Sequence, residues 1–256
     1  MAHKTVLYHR QDNAGIITLN RPERLNAINM DLLRGLMSQL ERARRDKKAA
    51  VVILTGAGRA FCAGEDLKET AAGKSLETWL EETDRLQDIQ RLILRLGKPL
   101  IAVVRGYAVG GGCEFAMSCD LRLAAEDAKF GFPETGVGLT VTTAGTKLLT
   151  QLVGLGRAKE LIFTGRFIDA EEAARIGLAN KVVPGDDLLA EALALADQIG
   201  RRSPLAVRLS RIAIDQGLDA SFEQTLEIEA GHLLACAGAQ NHKGFLDRRL
   251  AEMEKD

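Results

Sequence analysis

The chain has 256 residues, 46% of them hydrophobic and 27% charged, with a formal net charge of −1 and a pI near 6.5. That length supports a large core, in one sizeable domain or one domain with an appendage, while the balanced charge offers neither the broad basic field of a nucleic-acid binder nor an acidic tail. No apolar run approaches the roughly 20 residues that span a bilayer, and Met1–Val6 lacks the apolar core of a secretory signal, so a cytoplasmic location and no membrane partner are expected.

Residues 4–19 alternate in the manner of a hairpin turning at Gln11–Gly15, and Asn20-Arg21-Pro22-Glu23 breaks the pattern. A helix follows, capped by Asn29 or Asp31, with Leu32, Leu33, Leu36, Met37 and Leu40 as one apolar stripe, and it ends near Asp46. The continuous apolar runs 50–54 and 100–104 read as strands buried on both faces. Between them a long helix at 76–96 places Leu80, Leu86, Ile89, Leu92, Ile93 and Leu96 on its apolar side. A helix at 111–118 leads into a strand at 120–125, so strand and helix alternate at roughly fifty-residue spacing as stacked turns.

From 144 onward the pattern is almost wholly helical, with Ser203-Pro204 and Asp219-Ala220-Ser221 as punctuation. The last helices carry Leu and Phe residues that a partner would cover. The chain is therefore divided into an α/β core, 1–197, and a C-terminal helical module, 198–256. The four cysteines, Cys62, Cys113, Cys119 and Cys236, show no CxxC spacing, which suits reduced thiols better than disulfides or a zinc site.

Three stretches carry chemistry. Gly110-Gly111-Gly112-Cys113-Glu114 combines a glycine run with a carboxylate at a helix start, where unpaired N–H groups and a positive dipole end face any developing oxyanion. Phe130-Gly131-Phe132-Pro133-Glu134 supplies a second carboxylate, and a pair of them can move protons beside a carbonyl. Thr55-Gly56-Ala57-Gly58 through Phe61-Cys62-Ala63-Gly64-Glu65-Asp66-Leu67 forms a loop that can add a second N–H donor; the third glycine of a dinucleotide fingerprint is missing. No histidine lies in these motifs, so Cys62 and Cys113 read as packing residues rather than nucleophiles.

Together, Phe61–Leu67 and Gly106-Tyr107-Ala108-Val109-Gly110-Gly111-Gly112-Cys113-Glu114 resemble the enoyl-CoA hydratase/isomerase, or crotonase, superfamily. The likeness runs from Asn20-Arg21-Pro22-Glu23-Arg24-Leu25-Asn26-Ala27-Ile28 to Gly244-Phe245-Leu246-Asp247-Arg248-Arg249. It implies an α/β fold, a crotonase-like spiral of ββα turns with a helical C-terminal trimerisation module, assembled as a homotrimer or a dimer of trimers. It also implies an acyl-CoA substrate whose thioester oxygen is held by the backbone N–H groups of Glu65 and Gly111, with coenzyme A entering only as part of the substrate and no metal or other cofactor.

By the same resemblance Glu114 and Glu134 are the catalytic pair of a hydratase, Glu114 deprotonating water and Glu134 protonating Cα. Coenzyme A is expected along Arg24, Leu25, the Ala63–Asp66 loop with Leu67, Gly110 and the C-terminal helices. Arg24 is a phosphate partner or a solvated arginine, and Lys243 and Arg248 are weaker candidates. Trp79 covers the acyl chain or anchors the core, in a segment, 68–80, whose small and charged residues suggest mobility. Thr140 belongs to a threonine-rich run, 135–147, that caps a helix or shapes the acyl pocket. A Δ3,Δ2-enoyl-CoA isomerase is the alternative within the superfamily. An RNA-binding relative using Arg42, Arg44, Arg45, Lys47 and Lys48 is the remote one, against which stand the absent positive charge and aromatic interleaving.

Overall fold

The computed structural model describes residues 4–253. The expected hairpin is β1 (Val6–Gln11) against β2 (Ala14–Leu19), joined by Asp12 and Asn13, with Asp12 at φ 51°. Helix α1 (Met30–Arg45) is capped by Asn29, whose side chain accepts from the Leu32 N–H, and not by Asp31. Leu32, Leu33, Leu36 and Leu40 are buried along it as the stripe requires. Of the basic cluster at its end, Arg44 and Arg45 pair with Glu41 and Arg42 stacks on Tyr8.

The chain then winds through three turns: β3 (Val51–Gly56), β4 (Ala60–Cys62), α2 (Leu67–Ala71) and α3 (Leu76–Leu94); β5 (Leu100–Val104), β6 (Tyr107–Val109) and α4 (Gly111–Ser118); β7 (Leu121–Ala125), β8 (Lys129–Gly131), α5 (Gly145–Val153) and α6 (Leu155–Thr164). The first strand of each turn joins a six-stranded sheet, β1-β2-β3-β5-β7-β10, and the second joins a four-stranded one, β4-β6-β8-β9. Strand β9 (Ile168–Asp169), helix α7 (Ala170–Arg175) and strand β10 (Lys181–Val183) close the two sheets. The repeat is thus strand, strand, helix, as the resemblance implied, and not the strand-then-helix alternation read from hydropathy. Three-residue strands are too short to show a period, and the strands that open the turns start at 51, 100 and 121, so the fifty-residue spacing holds for the first interval and not for the second. For the same reason β9 and β10 escaped the reading of residues beyond 144 as helical.

Alternate residues of β3 face opposite cores, Val52 and Leu54 toward α1, Val51 and Ile53 toward α8 (Leu188–Gly200). Burial on both faces explains the unbroken apolar runs of β3 and β5. In α3, Leu86, Ile89 and Ile93 are buried as predicted, but Leu80 is 60% exposed and the helix ends at Leu94. Glu82 takes the buried place, in step with Leu86 and Ile89.

The sequence division at 197 falls within α8. Beyond it lie α9 (Pro204–Gly217), α10 (Phe222–Ala237) and α11 (His242–Met253). Ser203 caps α9 with Pro204 in its first turn, and Ser221 forms a capping box with Gln224 on α10. Arg211 of α9 donates to Asp120 at 2.6 Å and to the carbonyls of Leu94 and Ile93 at 3.0 and 3.1 Å, which satisfies the open end of α3. Phe222, Leu233 and Leu234 stand 69–80% exposed. The cysteines are free thiols, and among the described residues no helix is long and apolar enough to cross a membrane.

Candidate active site

Two loops meet where β4 and β6 end. At Gly64, with φ +82°, a Cβ would stand 2.6 Å from the Val109 carbonyl oxygen and 3.6 Å from Gly110 Cα, so only glycine lets the loops touch. Ile28 donates to the Gly64 carbonyl at 2.7 Å and accepts from the Asp66 N–H at 3.0 Å. In this parallel bridge the bonds are made by the neighbours of Glu65, whose own N–H therefore points the other way. Gly111 opens α4, so its N–H has no partner inside the helix and stands at the positive end of the helix dipole.

A cavity of about 230 Å³ is lined by Glu65, Gly111, Glu114 and Glu134, together with Trp79 and Thr140. Four residues from three separate motifs thus share one space. The remaining expected contacts lie off its wall. Arg24 is exposed, Leu25 and Asn26 hold left-handed turns at φ 54° and 57°, and Leu67 is 57% exposed. Asp66 is buried, ion-paired to Arg21 at 3.0 Å, and caps α2 through the Glu69 N–H. Asn26 fixes this region by donating to the carbonyls of Ala57 and Ala60 while accepting from the Arg21 N–H.

The two carboxylates differ in surroundings. Glu114 is buried on α4, and its Oε1 accepts from the N–H groups of Thr143 at 2.8 Å and Thr142 at 3.1 Å. Burial pushes its pKa up, opposed by those N–H bonds and one from Gly145. The threonine run therefore grips Glu114 with its backbone and lines the cavity with Thr140 and Thr142. It does not cap α5, whose cap is Ala144 at φ 59° with no side-chain bond.

Glu134 sits in a 3-10 turn, Pro133–Val137. Both its carboxylate oxygens are buried without a hydrogen-bond partner. Its pKa is pushed up to about 7 by burial, opposed by the nearby N–H of its own main chain and reinforced by the charge of Glu114. A Cβ on Gly110 would lie 3.1 Å from its Oε1, so the glycine run gives this carboxyl its space. One group is thus organised as an acceptor and the other is poised near half-protonation at neutral pH.

Behind the cavity lies an ionic cluster that the sequence reading missed. Lys74, its side chain 7% exposed, pairs with Glu65 and, at 2.6 Å, with Glu82, and stands 4.7 Å from the centre of the Trp79 ring. Thr70 adds a hydroxyl bond to Glu65 at 2.7 Å. Burial alone would lower the Lys74 pKa, but the two carboxylates outweigh it; burial raises that of Glu82. The visible signal was Glu82 itself, a charge placed on an apolar helix stripe.

The enoyl-CoA hydratase/isomerase family profile matches residues 9–253. A short-chain-enoyl-CoA hydratase of Clostridium acetobutylicum is 39% identical, with 98% of each chain aligned. A crotonyl-CoA hydratase of Syntrophomonas wolfei subsp. wolfei is likewise 39% identical over 98% of each chain. The crystal structure of an enoyl-CoA hydratase from Bacillus anthracis superposes with a TM-score of 0.92 at 36% identity, covering 98% of this chain and 96% of that one. The two-sheet spiral, with its paired carboxylates, is of the crotonase type, and the chain belongs to the enoyl-CoA hydratase/isomerase family.

Proposed function

We propose that the protein is an enoyl-CoA hydratase, adding water across the 2,3 double bond of an α,β-unsaturated acyl-CoA. The observation that carries this reading is the pair Glu114 and Glu134 in one cavity, the first held by main-chain N–H groups and the second unpartnered. The hydratase names of relatives aligned over nearly the whole chain agree with it.

The thioester makes Cβ electrophilic, and charge arriving there flows through Cα to the thioester oxygen. The N–H groups of Glu65 and Gly111 hold that oxygen, a contribution of about 3 kcal/mol per donor in comparable sites. Glu114 as carboxylate takes a proton from water as its oxygen bonds to Cβ. Glu134 as carboxylic acid gives its proton to Cα, and proton exchange between the two restores the starting state. The addition is redox-neutral and both protons are accounted for, so the scheme calls on no metal or cofactor.

Arg24, Leu25, Ala63, Asp66, Leu67 and Gly110 belong in this reading to the coenzyme A side, and Trp79 and Thr140 to the acyl side. Residues 198–256 form the assembly module of a homotrimer or a dimer of trimers, which would cover Phe222, Leu233 and Leu234, and the enzyme works in the cytoplasm. The test is loss of the conjugated-enoyl absorbance of crotonyl-CoA, with Glu114→Gln and Glu134→Gln in parallel. Loss abolished by both substitutions supports hydration; activity that survives Glu114→Gln favours isomerisation.

A further inference from the structure

A single buried amine touches three residues of the cavity wall. Lys74 pairs with Glu65 on the loop and Glu82 on α3 and lies over the ring of Trp79, also on α3; all three line the cavity. The proposed reaction scheme uses none of these side chains, yet in that scheme the main chain of one of them, Glu65, carries a donor to the thioester oxygen. Helix α2 and a short connection, 72–75, run between that loop and α3, and Lys74 sits on the connection with an ion pair to each side of it.

Building on the hydratase reading, we propose that Lys74 is a positioning residue that ties the oxyanion donor at Glu65 to the α3 wall, so that one group sets both the thioester hole and the α3 side of the acyl cavity. Two consequences follow from the chemistry. A donor shifted by even about 1 Å loses much of its effect on the developing oxyanion. The wall carries the carboxylates of Glu65 and Glu82, paired from behind by the Lys74 ammonium, so extending an acyl chain against it desolvates charge. The cluster therefore favours short acyl groups, through the wall and not through the reacting carboxylates.

The experiment compares wild type with Lys74→Met, Lys74→Arg and the neutralised pair Lys74→Met/Glu82→Gln, each first shown to be folded by its thermal transition. Two readouts are taken. The first is the enolate absorbance of bound acetoacetyl-CoA at saturation, which needs the oxyanion donors but not hydration. The second is kcat and KM for four- and eight-carbon 2-enoyl-CoA substrates.

Lys74→Met and the pair are expected to lose most of the enolate absorbance and to lower kcat on the four-carbon substrate about tenfold, with KM within about twofold. Lys74→Arg recovers part of both. In the pair, the eight-carbon to four-carbon ratio of kcat/KM rises about tenfold. Should Lys74→Met fail to fold, the neutralised pair decides, because it leaves no like charges facing one another. Folded variants with wild-type enolate absorbance and an unchanged chain-length ratio overturn the proposal. If wild type hydrates neither substrate yet its enolate signal depends on Lys74, the hydratase reading fails and the positioning role stands.

Discussion

Gly64 and Val109 come from separate turns of the spiral, yet a side chain on the first would collide with the carbonyl oxygen of the second at 2.6 Å. This contact sets the spacing between the loops that carry Glu65 and Gly111, the proposed oxyanion donors. Gly64→Ala meets both a left-handed φ of +82° and a backbone obstacle. We expect it to cost about 2–4 kcal/mol of stability and to abolish most turnover, as read by denaturant unfolding and crotonyl-CoA hydration.

Substitution of Glu114 separates chemistry from architecture. In Glu114→Gln the amide oxygen can still accept from Thr142 and Thr143, so the fold should hold while turnover falls by about 10²–10⁴-fold. Glu114→Ala instead strands buried N–H donors, at a further cost of about 1–3 kcal/mol. Equal thermal stability of the two variants would contradict the assigned hydrogen bonds.

In the proposed mechanism Glu134 must be protonated to act on Cα. With a pKa near 7, the hydration kcat/KM should fall about tenfold per pH unit above that value, and it should fall again on the acid side as Glu114, whose own pKa burial raises, takes up a proton. Stability follows with a definite sign. The folded pKa lies above the ordinary 4.5, so the native state binds more protons than the unfolded one, and stability is lost as pH rises from 4.5 through 7. Glu134→Gln should match wild type near pH 4 and exceed it by up to about 3 kcal/mol at pH 8. Urea unfolding at the two pH values reads this directly, and a constant difference would sink the assignment.

Gly145 opens α5 beside Glu114, and a Cβ there would lie 2.5 Å from Oε1 and 3.0 Å from Cγ. The carboxylate cannot simply retreat, since Thr142 and Thr143 hold it. Gly145→Ala should therefore lower kcat about 10–100-fold while the protein stays folded. Steady-state kinetics with a circular dichroism melt would check it; unchanged kcat would show Glu114 free to shift.

Much of this was legible in the residues. The stripe of α1, the doubly buried β3 and β5 and the serine caps of α9 and α10 each follow from local pattern, because one element supplies the whole signal. The short strands β4, β6 and β8 did not show, since three residues hold no period. The grip on Glu114 was equally invisible: its donors are backbone N–H groups, which any residue type at 142 and 143 presents. Lys74 looked like one more charge in a mobile segment, and only the fold reveals that its amine is enclosed by Glu65, Glu82 and Trp79.

The bonds of Arg211 also bear on the order in which this molecule is made. The carbonyls of Ile93 and Leu94 wait for a guanidinium 118 and 117 positions further along the chain. During synthesis, the helix that carries Trp79 and Glu82 thus emerges long before the group that closes its last turn. The first two turns of the spiral can assemble as they leave the ribosome, but α3 becomes fully seated only when α9 arrives, so a stalled or shortened product would hold Glu114 and Glu134 beside an unfinished wall.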